Sequence, residues 1–391
     1  SSDPNRIATY SQLQPNTPYD VLVRVTDSTG LTTEAVSTFD TFDEDEGLVI
    51  ESEDYNELSG VFEDNPDPGF YAGAFGDSNI DYFDTTEDLP GDGYRPDDFV
   101  DMTENSDVPR QKFTDAGVSD WQIDGVQTEE WLNYTRTFPN QALIPYLRAG
   151  AGTDRVMRLD QVTGDTSQEN QTTVPLGALL VKQTRTVNKY GYTPATDAFG
   201  APRVLNLNGE TTVRITAVDV AGDLNHNYLF FGPTSLPATT APWVLSVTPQ
   251  PGQTGVAAAT AVTASIIDGN TDVDRASVRI SLDGADVTGN AQITDAANGV
   301  NVAYTPPAPL ADGLHTVELV YGDSSGGNPQ TDSWSFTVGT AGPTPVITIS
   351  SMSRLKSNPR FCISSVLSSS TLRRFRSEEH TSELQSRQYL V

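Results

Sequence analysis

Apolar residues in this chain recur at every second position. In "EEWLNYTRTFP", residues 129–139, Trp131, Asn133, Thr135 and Thr137 fall on one side of an extended chain, and Leu132, Tyr134, Arg136 and Phe138 on the other. A period of two is that of a strand. The same signal runs through "LVIESED", "ALIPYLRAG", "VMRLDQV", "TTVRITAVDV" and "NYLFFG", all between residues 48 and 233. Past the Pro/Thr-rich "SLPATTAP" (235–242), six or seven short strands follow with Gly/Asp turns, and Val278, Ile280 and Leu282 alternate with Ser277, Arg279 and Ser281. Near the start, Tyr19, Val21, Val23 and Val25 share a face, "DSTG" turns the chain, and a second strand ends at "STFDTF". The pattern predicts an all-β protein of tandem β-sandwiches: complete ones over about 48–233 and 242–339, and a partial one in 1–42. "DEDEG" (43–47) reads as an acidic linker. Residues 60–120 form a polar segment rich in Asp, Gly, Pro and Tyr, too long for a bare loop in a compact domain. It is expected to wrap the sandwich and carry turns or short strands of its own.

Composition narrows the function classes. The 31 glycines and 25 prolines suit strands and turns. The formal charge is −30 over 391 residues; the last 41 residues hold seven basic and three acidic groups, which leaves the first 350 at −34. Such a surface repels nucleic acid phosphates and anionic membranes, so no nucleic acid partner and no membrane insertion are expected. Cys362 is the single cysteine and His226, His315 and His380 are the only histidines. A disulfide framework, a Ser–His–Asp triad and a histidine-rich zinc site are therefore poorly supplied. The chain opens on "SSDPNRIATY", as if cut from something longer, and a secreted or cell-surface location is expected.

The final segment breaks with the rest. Residues 351–391 turn Ser-rich and basic without a period of two, and "RSEEHTSELQS" (Arg376–Ser386) resembles a conceptual translation of a sequencing-adapter oligonucleotide. This stretch is read as a non-native or disordered tail and set aside. A basic anchoring tail is the rival reading.

Three motifs, "VIESEDYN", "EEWLNYTRTFP" and "DLNHNYLFF", occur in order across residues 48–231. Together they resemble a family 6-type carbohydrate-binding module, a jelly roll of galactose-binding-like topology. Leu13, Pro15 and Tyr19 resemble the tyrosine corner of fibronectin type III domains, and 242–339 is similar to bacterial Ig-like modules. The resemblance implies non-catalytic binding of a polysaccharide or cell-surface glycan within a large secreted multidomain protein. An adhesion or surface-structural segment whose module has lost sugar binding is the alternative. No residue set for an enzyme is evident; Glu129 and Glu130 are adjacent, point to opposite faces and cannot flank one glycosidic bond.

The resemblance also implies site residues. Asn225 matches the amide that reads sugar hydroxyls. The family's two loop aromatics are missing, with Gly125 and Val187 in their places. Trp121 and Tyr190 are the nearest substitutes, with Tyr71 and Tyr94 of the 60–120 segment as further candidates. The "EEWLNYTRTF" strand is expected to build a wall, with Trp131 or Tyr134 in the core. A structural Ca2+ is implied at Glu51 and Glu53, which share a strand face, with Asn227 where the family has Asp.

Overall fold

The computed structural model describes residues 11–27, 30–86, 93–184, 186–326, 329–339 and 360–367. Among them the fold is all-β, and the α-helix α1 (Gln111–Ala116) has six residues.

The N-terminal part is a hairpin of β1 (Pro18–Asp27) and β2 (Thr32–Asp40), paired from Pro18↔Asp40 to Thr26↔Thr32. The Tyr19 hydroxyl accepts a hydrogen bond from the Gln14 N–H at 2.6 Å, as the corner motif implies, and its ring stacks on Phe39 at 5.3 Å.

The central domain contains β3 (Leu48–Glu51), β4 (Tyr82–Phe83), β5 (Met102–Glu104), β6 (Trp121–Ile123), β7 (Trp131–Phe138), β8 (Leu143–Ala151), β9 (Arg155–Thr163), β10 (Thr172–Val181), β11 (Gly191–Thr196), β12 (Gly209–Asp219) and β13 (Leu224–Pro233). One layer runs β4-β7-β12-β9-β10, the other β11-β8-β13-β6-β5, with β3 also on β13; the β10–β11 pairing joins them. Between the layers sit Leu132, Tyr134, Phe138, Leu147, Leu159, Val213, Ile215, Leu229 and Phe231. Alternation thus puts Tyr134 inside, while Trp131 stays half-buried on the outer side.

The segment after β3 wraps the outer face of β7. Asn56 Nδ2 donates to Thr135 Oγ1 at 2.8 Å, and Asn133 Nδ2 donates to the Ile80 carbonyl at 2.7 Å. Arg95 fastens this wrap. It is 0% exposed, donates from Nε to Asp98 Oδ2 (2.8 Å), from Nη1 to the Tyr55 carbonyl (2.5 Å) and from Nη2 to the Asn56 carbonyl (3.0 Å), and lies 3.6 Å from the Tyr55 ring centre. Gly76 passes so close that a Cβ there would meet Arg95 Nη2 at 2.8 Å.

The last sandwich contains β14 (Trp243–Thr248), β15 (Val262–Ile267), β16 (Val273–Leu282), β17 (Ala285–Asp286), β18 (Gln292–Ala296), β19 (Gly299–Tyr304), β20 (Gly313–Asp323) and β21 (Gln330–Val338), in sheets β14-β15-β19-β18 and β17-β16-β20-β21. Val262, Ile266, Val278, Ile280, Val302, Val317, Leu319 and Phe336 fill its core.

Two details depart from expectation. Residues 360–367 of the tail form β22 (Arg360–Leu367), parallel to β1 from Asp20↔Arg360 to Asp27↔Leu367. An edge strand offers unpaired N–H and C=O groups to any extended segment. The rest of 351–391 lies outside the described residues. "DEDEG" is also more than a tether. Phe42 just before it sits among Phe230 (4.2 Å), Tyr146 and Tyr192 (5.0 Å each), and Glu44 pairs with Arg110.

Candidate functional site

Asn225, Trp121 and Tyr190 come into one neighbourhood, at the edge where β6 meets β13. Asn225 Oδ1 accepts from the Gly125 N–H at 3.4 Å, Trp121 lies on β6, and the Tyr190 hydroxyl donates to Gln122 Oε1. They do not form an open clamp. Asn225 is 1% and Tyr190 6% exposed, and the Arg148 guanidinium lies 4.8 Å from the centre of the Tyr190 ring. Trp121 is half-buried against the core, 6.0 Å from Tyr94. Tyr71 and Tyr94 are buried as well, with the Tyr94 hydroxyl accepting from the Tyr71 N–H at 2.9 Å.

Beside this edge lies a buried group of acids. Glu51, Glu53, Asp54 and Asp120 are all nearly inaccessible. Among the described residues, both Glu53 oxygens, Glu51 Oε2 and Asp54 Oδ1 have no hydrogen-bond partner. Burial, then Asp54, then Asp120 hold the Glu53 carboxyl well above its ordinary range. Burial pushes Asp54 up to about 6, against the pull of Arg136. Lys112 and Arg110 both reach Glu51 Oε1, and burial, with Arg110 beside it, lowers the Lys112 amine to about 8. Unpartnered buried carboxylate oxygens are the donor chemistry of a hard cation. As they stand, no three His, Cys, Asp or Glu side chains among the described residues converge tightly enough to hold a metal. Asn227 does not offer its oxygen: the β13 register shifts there, and Arg148 Nη1 donates to Asn227 Oδ1 at 2.5 Å. Asp54 and Asp120 are the acids that sequence reasoning passed over. The "ED" pair in "IESED" was the available signal for the first.

His226 is closed off too. Its Nδ1 lies 2.7 Å from Ser52 Oγ, both residues are buried, and burial lowers the imidazole to about 3. A sealed, neutral pair of this kind has no substrate access.

An open, strongly polar concavity lies elsewhere, on the outer face of the β7–β12 layer. It has a volume of about 380 Å³ and is lined by Asn79, Trp131, Glu169, Asn170, Gln171 and Arg214. Register pairs Arg214 with Asn133 across β12 and β7, two residues from Trp131. The Arg214 guanidinium lies 3.5 Å from the Trp131 ring centre and donates from Nε to Asn133 Oδ1 (2.8 Å) and from Nη2 to Gln171 Oε1 (2.6 Å). Gln171 Nε2 donates to the Thr166 carbonyl at 2.8 Å, fixing the β9–β10 turn. Burial lowers Arg214 to about 10, so it stays cationic at neutral pH. Asn79 and Asn170, both at positive φ, stand exposed on the rim. The result is a cleft lined by amides and by an indole that carries the guanidinium on one ring face. Sequence reasoning missed this site, although the alternation of β7 already separated Trp131 from Tyr134.

No family model matches the chain, and no curated protein matches it. Among solved structures it is similar to CsCBM6-3 from Clostridium stercorarium in complex with cellobiose, at 14% identity and TM-score 0.23 over 30% of this chain and 76% of that one. It is also similar to the C-terminal CBM6 of LamC, from Zobellia galactanivorans, at 16% identity and TM-score 0.23 over 34% and 88%. The fibronectin(III)-like modules of Clostridium thermocellum CbhA match at 15% identity and TM-score 0.19 over 55% and 87%. These likenesses assign no residue a role.

Proposed function

We propose that residues 48–233 are a non-catalytic carbohydrate-binding module of a secreted or cell-surface multidomain protein, and that the glycan lies in the cleft walled by Trp131. The cleft itself carries this reading. Its ~380 Å³ falls within the roughly 300–1,000 Å³ of small-molecule sites. An indole suits the C–H face of a pyranose, and Asn79 and Asn170 have amides that both donate and accept, as sugar hydroxyls do. Glu169 is the one carboxylate among the six lining residues, whereas glycoside hydrolysis needs two across the bond. The edge around Asn225, Trp121 and Tyr190 is the second position for a sugar, and would require Tyr190 to leave Arg148. Burial of Asn225 and Tyr190 favours the surface-structural alternative. We further propose a structural Ca2+ at Glu51 and Glu53, with Asp54 and Asp120 adding charge.

Glycan-array screening followed by calorimetric titration of the best hit tests the site. Trp131→Ala, checked for folding by circular dichroism, is expected to weaken binding about tenfold or more. Tyr190→Ala should leave it within about twofold. The reverse ranking moves the sugar to the Asn225 edge. An array without a hit for the parent protein, with and without calcium, supports the surface-structural reading instead.

A further inference from the structure

The turn between β11 and β12, "DAFGAPR" (Asp197–Arg203), belongs to the jelly roll by connectivity and to the next sandwich by contact. Asp197 Oδ1 accepts from the N–H groups of Phe199 and Ala201, both at 2.9 Å, and Gly200 takes the left-handed conformation at φ 83°. This stiff turn projects Ala198 and Phe199 against the core of the C-terminal sandwich. The Phe199 ring lies 6.0 Å from Trp334, and the Ala198 N–H donates to the Val244 carbonyl at 2.8 Å. Arg203, buried, stacks 3.8 Å over Trp243, also buried. A second bridge runs from Asn298 Nδ2 to the Thr173 carbonyl at 2.8 Å. The tether is pinned as well: the Thr239 N–H donates to the Val204 carbonyl at 2.9 Å and Thr239 Oγ1 accepts from the Val204 N–H at 3.2 Å.

Adjacent modules move independently unless an interface is large and apolar. Here separation would expose two tryptophans and strip the cation from one of them. We infer that the jelly roll and the C-terminal sandwich form one cooperative body, keyed by the Asp197–Arg203 turn, so that the outer cleft is held at a fixed orientation to the module that follows. The inference stands whether or not the cleft takes a sugar.

Native-state hydrogen exchange of the full chain, read by mass spectrometry, follows each module separately. Peptides from β12 and from β16 and β20 are expected to share one global opening constant and one thermal midpoint. Phe199→Ala with Arg203→Ala should separate the two sets, lowering protection in at least one by about tenfold or more; Phe199→Ala alone is the milder variant if the pair folds poorly. Circular dichroism confirms that both sandwiches remain folded. Opening constants that already differ more than tenfold in the parent protein overturn the inference. So does an unchanged common midpoint in the double variant.

Discussion

Arg95→Ala is expected to destabilise the protein by about 3–5 kcal/mol, the usual cost of removing one member of a buried ion pair. The substitution strands Asp98, whose Oδ2 would keep only the Tyr55 hydroxyl at 2.5 Å and the Gly76 N–H at 3.1 Å. It also frees the Tyr55 and Asn56 carbonyls, each worth about 1–3 kcal/mol when buried without a donor. The Tyr55 and Tyr71 rings lose the cation that lies over them. Arg95→Lys should recover little, because one ammonium cannot reproduce a planar fork that reaches three oxygens. Urea denaturation measures the effect, and limited proteolysis between residues 52 and 101 locates it. A cost below about 1 kcal/mol would show that the wrap holds without its central cation.

The second large effect concerns pH. In chelated buffer the folded protein holds Asp54 at about 6 against an ordinary 3.8, so ionising it costs about 3 kcal/mol more than in the unfolded chain. Glu53 is shifted in the same direction. A raised carboxyl binds its proton more tightly when folded. The penalty is therefore absent below about pH 4, grows as pH rises, and is complete once the pH exceeds the folded-state value. Lys112, lowered to about 8, works the other way, and its penalty lifts above that pH. Wild-type stability from this cluster should pass through a trough between about pH 6 and 8. Glu53→Gln with Asp54→Asn should raise stability at pH 7 by up to about 3 kcal/mol and abolish the loss between about pH 4 and 6, while the rise above pH 8 that follows Lys112 remains. Calcium should raise the wild-type Tm at pH 7, with little effect near pH 4, and should do nothing for the double variant. An equal calcium shift in both proteins would place the ion elsewhere, and a flat wild-type profile would mean that these acids are solvated.

The strands could be read from the sequence because their signal is local. Val278, Ile280 and Leu282 alternate in the chain and line one core. Three ordered motifs likewise marked β3, β7 and β13 as strands of one two-layered domain. The site was less legible. Period two assigns residues to two faces without saying which is wet, and β7 carries aromatics on both, Trp131 outward and Tyr134 inward. Only Asn79, Asn170 and Gln171, brought in from two distant turns, make the outer face a cleft. Substituting Tyr190 for an absent loop aromatic rested on sequence proximity, and proximity carries no information about Arg148, which covers its ring from β8. The same holds for Arg110, Lys112 and Asp120, which the long wrap returns to Glu51 and Glu53 at the end of β3 from about sixty residues away.

Phe42 bears on where this domain can be cut free for separate expression. It fills a socket formed by Tyr146, Tyr192 and Phe230, and Asp40 accepts the Tyr192 hydroxyl at 2.6 Å. A fragment begun at Leu48, the boundary that the acidic linker suggests, would present three aromatic rings to water and invite self-association. One begun a few residues upstream of Asp40 carries its own stopper, and is the piece to purify, label and crystallise.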